Sequence, residues 1–138
     1  MNRKHVFGGA AGVAGIALAF GLGIAVGQQT PPTQMQGVRI SPPTVLDLSE
    51  EIDGVNGRQL RLRVVTIEPG GAIPLHSHNG RPGVAYVLQG VLTEHREGSE
   101  AIDRYEGQSW TEGKDTTHWA ENKGNTPVVV VAVDVFKP

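Results

Sequence analysis

The 138-residue chain contains no cysteine. That excludes a disulfide scaffold, a thiolate metal site, a catalytic thiol and an iron–sulfur cluster, so any metal must sit on histidine or carboxylate. The chain also lacks an excess of positive charge. Its 12 Lys+Arg are scattered among 14 Asp+Glu for a formal net charge of −2, which argues against a nucleic-acid partner, because phosphate binding needs clustered basic side chains. No phosphate-cradling glycine loop is present. Ser77 and Ser109 have no nucleophile-elbow context, and Ser77 faces away from its two histidine neighbours. Aromatic residues are only 5% of the chain. Tyr86, Trp110 and Trp119 are read as core packing first and pocket wall second. The length allows one domain at most.

What is present begins with a distinct leader. Arg3, Lys4 and His5 precede 22 uncharged residues from Val6 to Gly27, closed by Ala25-Val26-Gly27. A positive start, an apolar centre and small residues at the end make an export signal over residues 1–27. The pattern around Arg3-Lys4 resembles a twin-arginine signal with Lys as the second basic residue, and the general secretion route competes with it. The expected location is periplasmic or secreted. The alternative is an uncleaved membrane anchor, since this stretch could span about 30 Å of hydrocarbon at ~1.5 Å per residue. Its seven glycines count against that, because they lower helix propensity and hydrophobicity. Removing Arg3 and Lys4 with the leader leaves 10 basic against 14 acidic residues, a net charge of −4.

Residues 28–43 carry Pro31, Pro32, Pro42 and Pro43 among Gln, Thr and Ser, which predicts an extended, flexible tether. From residue 44 to 138 no stretch sustains a helical apolar period. Short β-branched or alternating runs recur between turn residues, so this segment is expected to be a single all-β domain, a closed sandwich or barrel. Gln59 to Val64 alternates apolar and polar side chains, which predicts a strand with one buried and one wet face. Further strands are expected around Leu75–His78, Val84–Leu88, Val91–Arg96, Gln108–Thr111, Thr117–Asn122 and Val128–Phe136. The last is apolar on both faces and belongs in the interior of a sheet. Pro69-Gly70-Gly71, Asn79-Gly80 and Gln89-Gly90 are among the expected turns.

The chemical signal lies in three histidines. His76 and His78 are two residues apart, so on a strand both imidazoles project to one side, about 7 Å apart along it. Two neutral imidazoles so placed can converge on one divalent ion. His118, in Thr117-His118-Trp119-Ala120, completes a face of three nitrogens if its strand runs beside the first. Strand parity turns Trp119 away from His118 and puts Ala120 and Asn122 on its side. His95, in a charged strand end, reads as a surface residue, and Arg81 as a loop cation able to clamp a carboxylate or phosphate.

Gly70, five residues, then His76-Ser77-His78, followed by Tyr86-Val87-Leu88-Gln89-Gly90, and later Gly107, ten residues, His118, three residues and Asn122, resemble the two motifs of the cupin superfamily over about Leu60 to Phe136. The resemblance implies a small jelly-roll β-barrel with a divalent transition metal (Fe, Mn, Ni or Zn) in its mouth, held by His76, His78 and His118. The family's glutamate ligand would fall at Gly83, which has no donor atom. That predicts a three-histidine, uncharged ligand set with an extra open position, suited to an anionic substrate. The turn before His118 also departs from the pattern, with Gly113 and Asp115 where the family has Pro and Gly. The expected function is an exported metal-binding cupin acting on a small-molecule ligand or substrate, an anionic one being suited to the site, with Arg81 as the candidate orienter. If it is an enzyme, it is expected to be a dioxygenase-like oxidoreductase ahead of an isomerase or lyase. The competing readings are a non-catalytic binding or sensing module and a structural oligomer. A homodimer is expected, with membrane contact only through an uncleaved leader.

Overall fold

The computed structural model describes residues 30–138; the leader, and the part of the tether before Thr30, lie outside them. Among the described residues the chain is all β, nine strands with no helix, wound into a nearly closed antiparallel barrel. The strands are β1 (Gln36–Ile40), β2 (Thr44–Asp47), β3 (Gln59–Ser77), β4 (Gly83–Gln89), β5 (Val91–Arg96), β6 (Ile102–Tyr105), β7 (Ser109–Glu112), β8 (Thr117–Glu121) and β9 (Val128–Phe136). The main sheet path runs β6-β5-β8-β3-β9-β4-β7, with β1 and β2 added to β3.

β3 holds the two sides together. Its first part pairs with β2 and β9, and its end, from Ala72 to Ser77, pairs with β8. The expected turn at Pro69-Gly70-Gly71 is therefore a bend inside one long strand. Gly70 adopts φ +75°, and a side chain on Gly71 would meet the carbonyl oxygens of Gln36 and Gly37 at 2.9 Å. Glycine here lets β1 cross close against the bend. β1 itself lies within the segment read as a tether: residues 36–40 are extended as expected, but hydrogen-bonded to β3 in register Arg39 to Thr66 and Ile40 to Val65. β6 was not anticipated. Its four residues set adjacent charges, Asp103 and Arg104, between Ile102 and Tyr105, a run with no apolar alternation to read as a strand.

β9 sits between β3 and β4, as its two apolar faces predict. Val128 and Val130 enter the core with Val65, Ile67, Ala85, Val87, Leu92, Trp110 and Ala120. Burial of these side chains supplies the main favourable term for the fold. The alternation of Gln59 to Val64 is real, but its sense runs against the usual assignment of leucine to the interior. Leu60 and Leu62 are exposed, at 37% and 40%, while Arg61 and Arg63 turn inward on the side continued by buried Val65 and Ile67. Register forces this, since a strand cannot change faces without a bulge. The arginines are tolerated because Asp134 of β9 pairs with both. Gln89-Gly90 is likewise a corner between two sides of the barrel rather than a hairpin turn: β4 pairs with β7 and β9, and β5 with β6 and β8.

Candidate metal centre

The three histidines predicted to converge do so. β3 pairs with β8 through Ile73 to Ala120 and then His76 to His118, so one extra β3 residue is accommodated between the two pairs as a bulge. That bulge brings His76 directly opposite His118. His78 follows the last residue of β3 and is fixed by its backbone N–H donating to the Thr116 carbonyl oxygen at 2.9 Å. The Nε2 atoms of His78 and His118 stand 3.1 Å apart, as do those of His118 and His76. Ligand atoms from all three rings lie within 4.8 Å of one another.

Each ring is tied down through its other nitrogen. His76 Nδ1 lies 2.9 Å from the Pro74 carbonyl oxygen, His78 Nδ1 3.2 Å from that of Arg81, and His118 Nδ1 2.7 Å from Glu94 Oε1. All three partners are oxygen acceptors, so each Nδ1 carries the proton and donates it, and each Nε2 presents a lone pair. Burial pushes both His76 and His78 down to about 4; it is partly offset by the bond to Pro74 at His76 and reinforced by the Arg81 cation at His78. Near neutral pH the Nε2 atoms of His76 and His78 thus carry lone pairs turned toward His118 Nε2, a grouping that a cation between the three rings would satisfy. Two ligand atoms each about 2.1 Å from one ion and at right angles stand about 3.0 Å apart, close to the spacing observed. The donor set fits a divalent transition metal.

Sequence reasoning missed the residues that support this cluster. Glu94 of β5 is fully buried and holds the ring of His118, with Arg96 at 2.8 Å and Arg104 at 2.7 Å on its two oxygens. Burial alone would raise the Glu94 carboxyl, but the bonds from His118, Arg104 and Arg96 outweigh it and hold it down to about 2. It remains an anion that orients its histidine in the manner of carboxylate–histidine–metal arrangements. Glu112, at the end of β7, places Oε2 3.4 Å from His78 Nε2 and Oε1 3.7 Å from His118 Nε2. Neither acid carries a sequence signal, because cross-strand register alone brings it to the cluster.

The remaining candidates sort as follows. Arg81 lines the cavity, but its Nη1 donates to Asp134 Oδ2 at 2.9 Å, so its guanidinium is anchored rather than free in the loop. Arg61 and Arg63 reach the same carboxylate at 2.8 and 2.9 Å. Burial would raise Asp134, yet these guanidiniums hold it below the usual carboxylate range. His95 is not among the cluster ligands. It is half-buried, stacked on Trp119 with ring centroids 3.7 Å apart and bonded to Glu121 at 2.8 Å, so it is a packed residue and not a solvated surface one. Trp119 is covered by this stack, and Ala120 lines the cavity on the His118 side. Asn122 is buried with its amide on the Ile67 and Thr126 carbonyl oxygens, at 2.9 and 2.8 Å, and closes a turn. The histidines open into a cavity of about 240 Å³ whose wall includes Val65, Leu92 and Val130 as well as Arg63 and Arg81. Arg63 Nε is buried and has no hydrogen-bond partner among the described residues.

Barrel topology and site together define a cupin. The family described as "Cupin domain" matches residues 63–135, and the chain belongs to it. Among solved structures, the chain is similar to the Cupin_2 domain of an XRE family transcriptional regulator from Enterobacter cloacae (18% identity, TM-score 0.56, covering 75% of this chain and 99% of that one). It is also similar to a predicted oxalate decarboxylase from Thermotoga maritima (20% identity, TM-score 0.50, covering 68% and 91%). A third is a recombinant oxalate oxidase in complex with glycolate (24% identity, TM-score 0.53, covering 74% and 52%). At these identities the likeness establishes the fold. No curated protein matches the chain.

Proposed function

We propose that the chain is an exported metal-binding cupin, holding Fe, Mn, Ni or Zn through His76, His78 and His118 and acting on a small anionic molecule. The observation that carries the reading is the convergence of three Nε2 atoms, each on a ring whose Nδ1 is tied to an oxygen acceptor. A divalent ion held there supplies Lewis acidity, and with open positions it can activate a bound ligand. The chain's own groups do the rest. Three guanidiniums surround the single Asp134 carboxylate, leaving an excess of positive charge beside the cavity. Together they attract and orient a carboxylate. The apolar wall excludes water, and about 240 Å³ suits a compact ligand.

On this reading the enzymatic class is dioxygenase-like, ahead of isomerase or lyase, and a non-catalytic binding module is the alternative. The small volume and the one-ended placement of charge favour a small carboxylic acid in either case. Protein loaded with Fe²⁺ or Mn²⁺ is mixed with a panel of such acids while oxygen uptake, product mass and ligand binding are followed. Turnover supports the enzyme, binding without turnover supports the module, and neither contradicts the anionic ligand. Export rests on the composition of residues 1–27. Homodimerisation is supported by an uncharged outer sheet face carrying Leu60, Leu62, Val84, Tyr86 and Leu88, each at least 37% exposed, with a second copy as its partner.

A further inference from the structure

Gly83 faces the inside of the barrel at the place where the family pattern has its glutamate. A Cβ built on it would meet the Val133 carbonyl oxygen at 2.7 Å and Asp134 Cβ at 3.1 Å. The backbone of β9 is therefore too close for any side chain at 83. In register, Gly83 lies opposite Glu112 of β7 on one side and Asp134 of β9 on the other. Cross-strand partners share a face, so the Glu112 side chain also points inward.

We propose that Glu112 is the carboxylate ligand of this metal centre, supplied from β7 in place of the absent side chain at 83. The assignment rests on the three-histidine metal reading and adds a fourth donor to it. Glu112 oxygens lie 3.4 and 3.7 Å from the Nε2 atoms of His78 and His118. Those separations are near the 3.1 Å that the imidazoles keep among themselves. Its carboxylate is aimed by Trp110, whose Nε1–H donates to Oε1 at 3.1 Å. Glu112 is buried, at 8% exposure, and among the described residues no lysine or arginine pairs with it. Arg63 is near enough to feel its charge but pairs with Asp134, so a divalent ion beside the carboxylate would lower the cost of burying it. The ligand set becomes three neutral imidazoles and one anion. It has the charge of a three-histidine, one-glutamate set, reached by a different strand.

The test titrates metal-free full-length protein with Co²⁺ and Zn²⁺, comparing the unaltered chain with Glu112→Gln and Glu112→Asp, and records the visible spectrum of the Co²⁺ form. Glu112→Gln keeps an acceptor for Trp110 but loses the anion. It is expected to bind each ion at least about tenfold more weakly, with a changed Co²⁺ spectrum, and Glu112→Asp to fall between. Unchanged affinity and spectrum in Glu112→Gln would overturn the assignment while leaving the three-histidine centre standing, and an effect on thermal stability alone would do the same. If the unaltered chain takes up no ion, the metal reading and this assignment fall together. Should Glu112→Gln not fold, a Zn²⁺-soaked crystal of the unaltered protein decides. A Glu112 oxygen within about 2.3 Å of the ion supports the proposal, and one turned away refutes it.

Discussion

His118 is held at Nδ1 by Glu94, and its Nε2 faces the other two imidazoles. Replacing Glu94 with Gln leaves Arg96 and Arg104 without their shared anion and lets the His118 tautomer change. Breaking such a buried network costs about 3–5 kcal/mol of stability, and loss of the orienting carboxylate weakens metal binding by roughly 10–100-fold. Denaturant unfolding and Zn²⁺ competition measure the two effects separately. His76 and His78, held near 4 against an ordinary value of 6.5, make the metal-free protein sensitive to acid. They are neutral in the fold and protonate more readily when unfolded, so their contribution is complete above about pH 6.5 and is lost as pH falls toward 4. Melting in the presence of a chelator is therefore expected to show a steeper drop across that window than a His76→Gln, His78→Gln variant; equal slopes contradict it. The three histidines were legible because two-residue spacing sets a common face and the family motif placed the third. Glu94 and Glu112 were not, since an isolated acidic residue in a strand looks the same whether it meets water or a buried imidazole.

Among the elements, β3 departs most from its sequence pattern. Its proline and paired glycines look like a hairpin turn, yet the strand bends and continues, because β1 packs against Gly71 where a Cβ would not fit. Its leucines point outward because the next inward positions, Val65 and Ile67, fix the parity. Neither outcome follows from local propensity; both follow from what lies across the sheet. Strand existence was otherwise readable for β4, β5, β7, β8 and β9, each carrying β-branched or alternating runs. At the start of β4, Gly83→Ala is expected to destabilise by about 1–3 kcal/mol, because overpacking against the Val133 carbonyl oxygen forces the strands apart. Chemical denaturation checks this. An unchanged midpoint would show that β4 can shift to admit a side chain, and that a glutamate at 83 would not be excluded.

At the scale of the molecule, one outer face of β3, β9 and β4 carries exposed Leu62, Val84, Tyr86 and Leu88. Solution mass is expected to be that of a dimer, and Leu62→Glu with Tyr86→Glu to shift it to the monomer without loss of fold; a monomeric unaltered protein contradicts the pairing. The opposite, inner face gathers the site. The barrel class was legible from strand spacing and the histidine motifs, whereas its order, with β3 shared between two sides, depends on pairings distant in the chain. The central claim is that His76, His78 and His118 hold a transition metal. Elemental analysis of anaerobically purified protein measures this directly. One transition-metal ion per chain, lost in His76→Ala with His118→Ala, is the expected result; no stoichiometric metal, or a metal content unchanged by those substitutions, contradicts it.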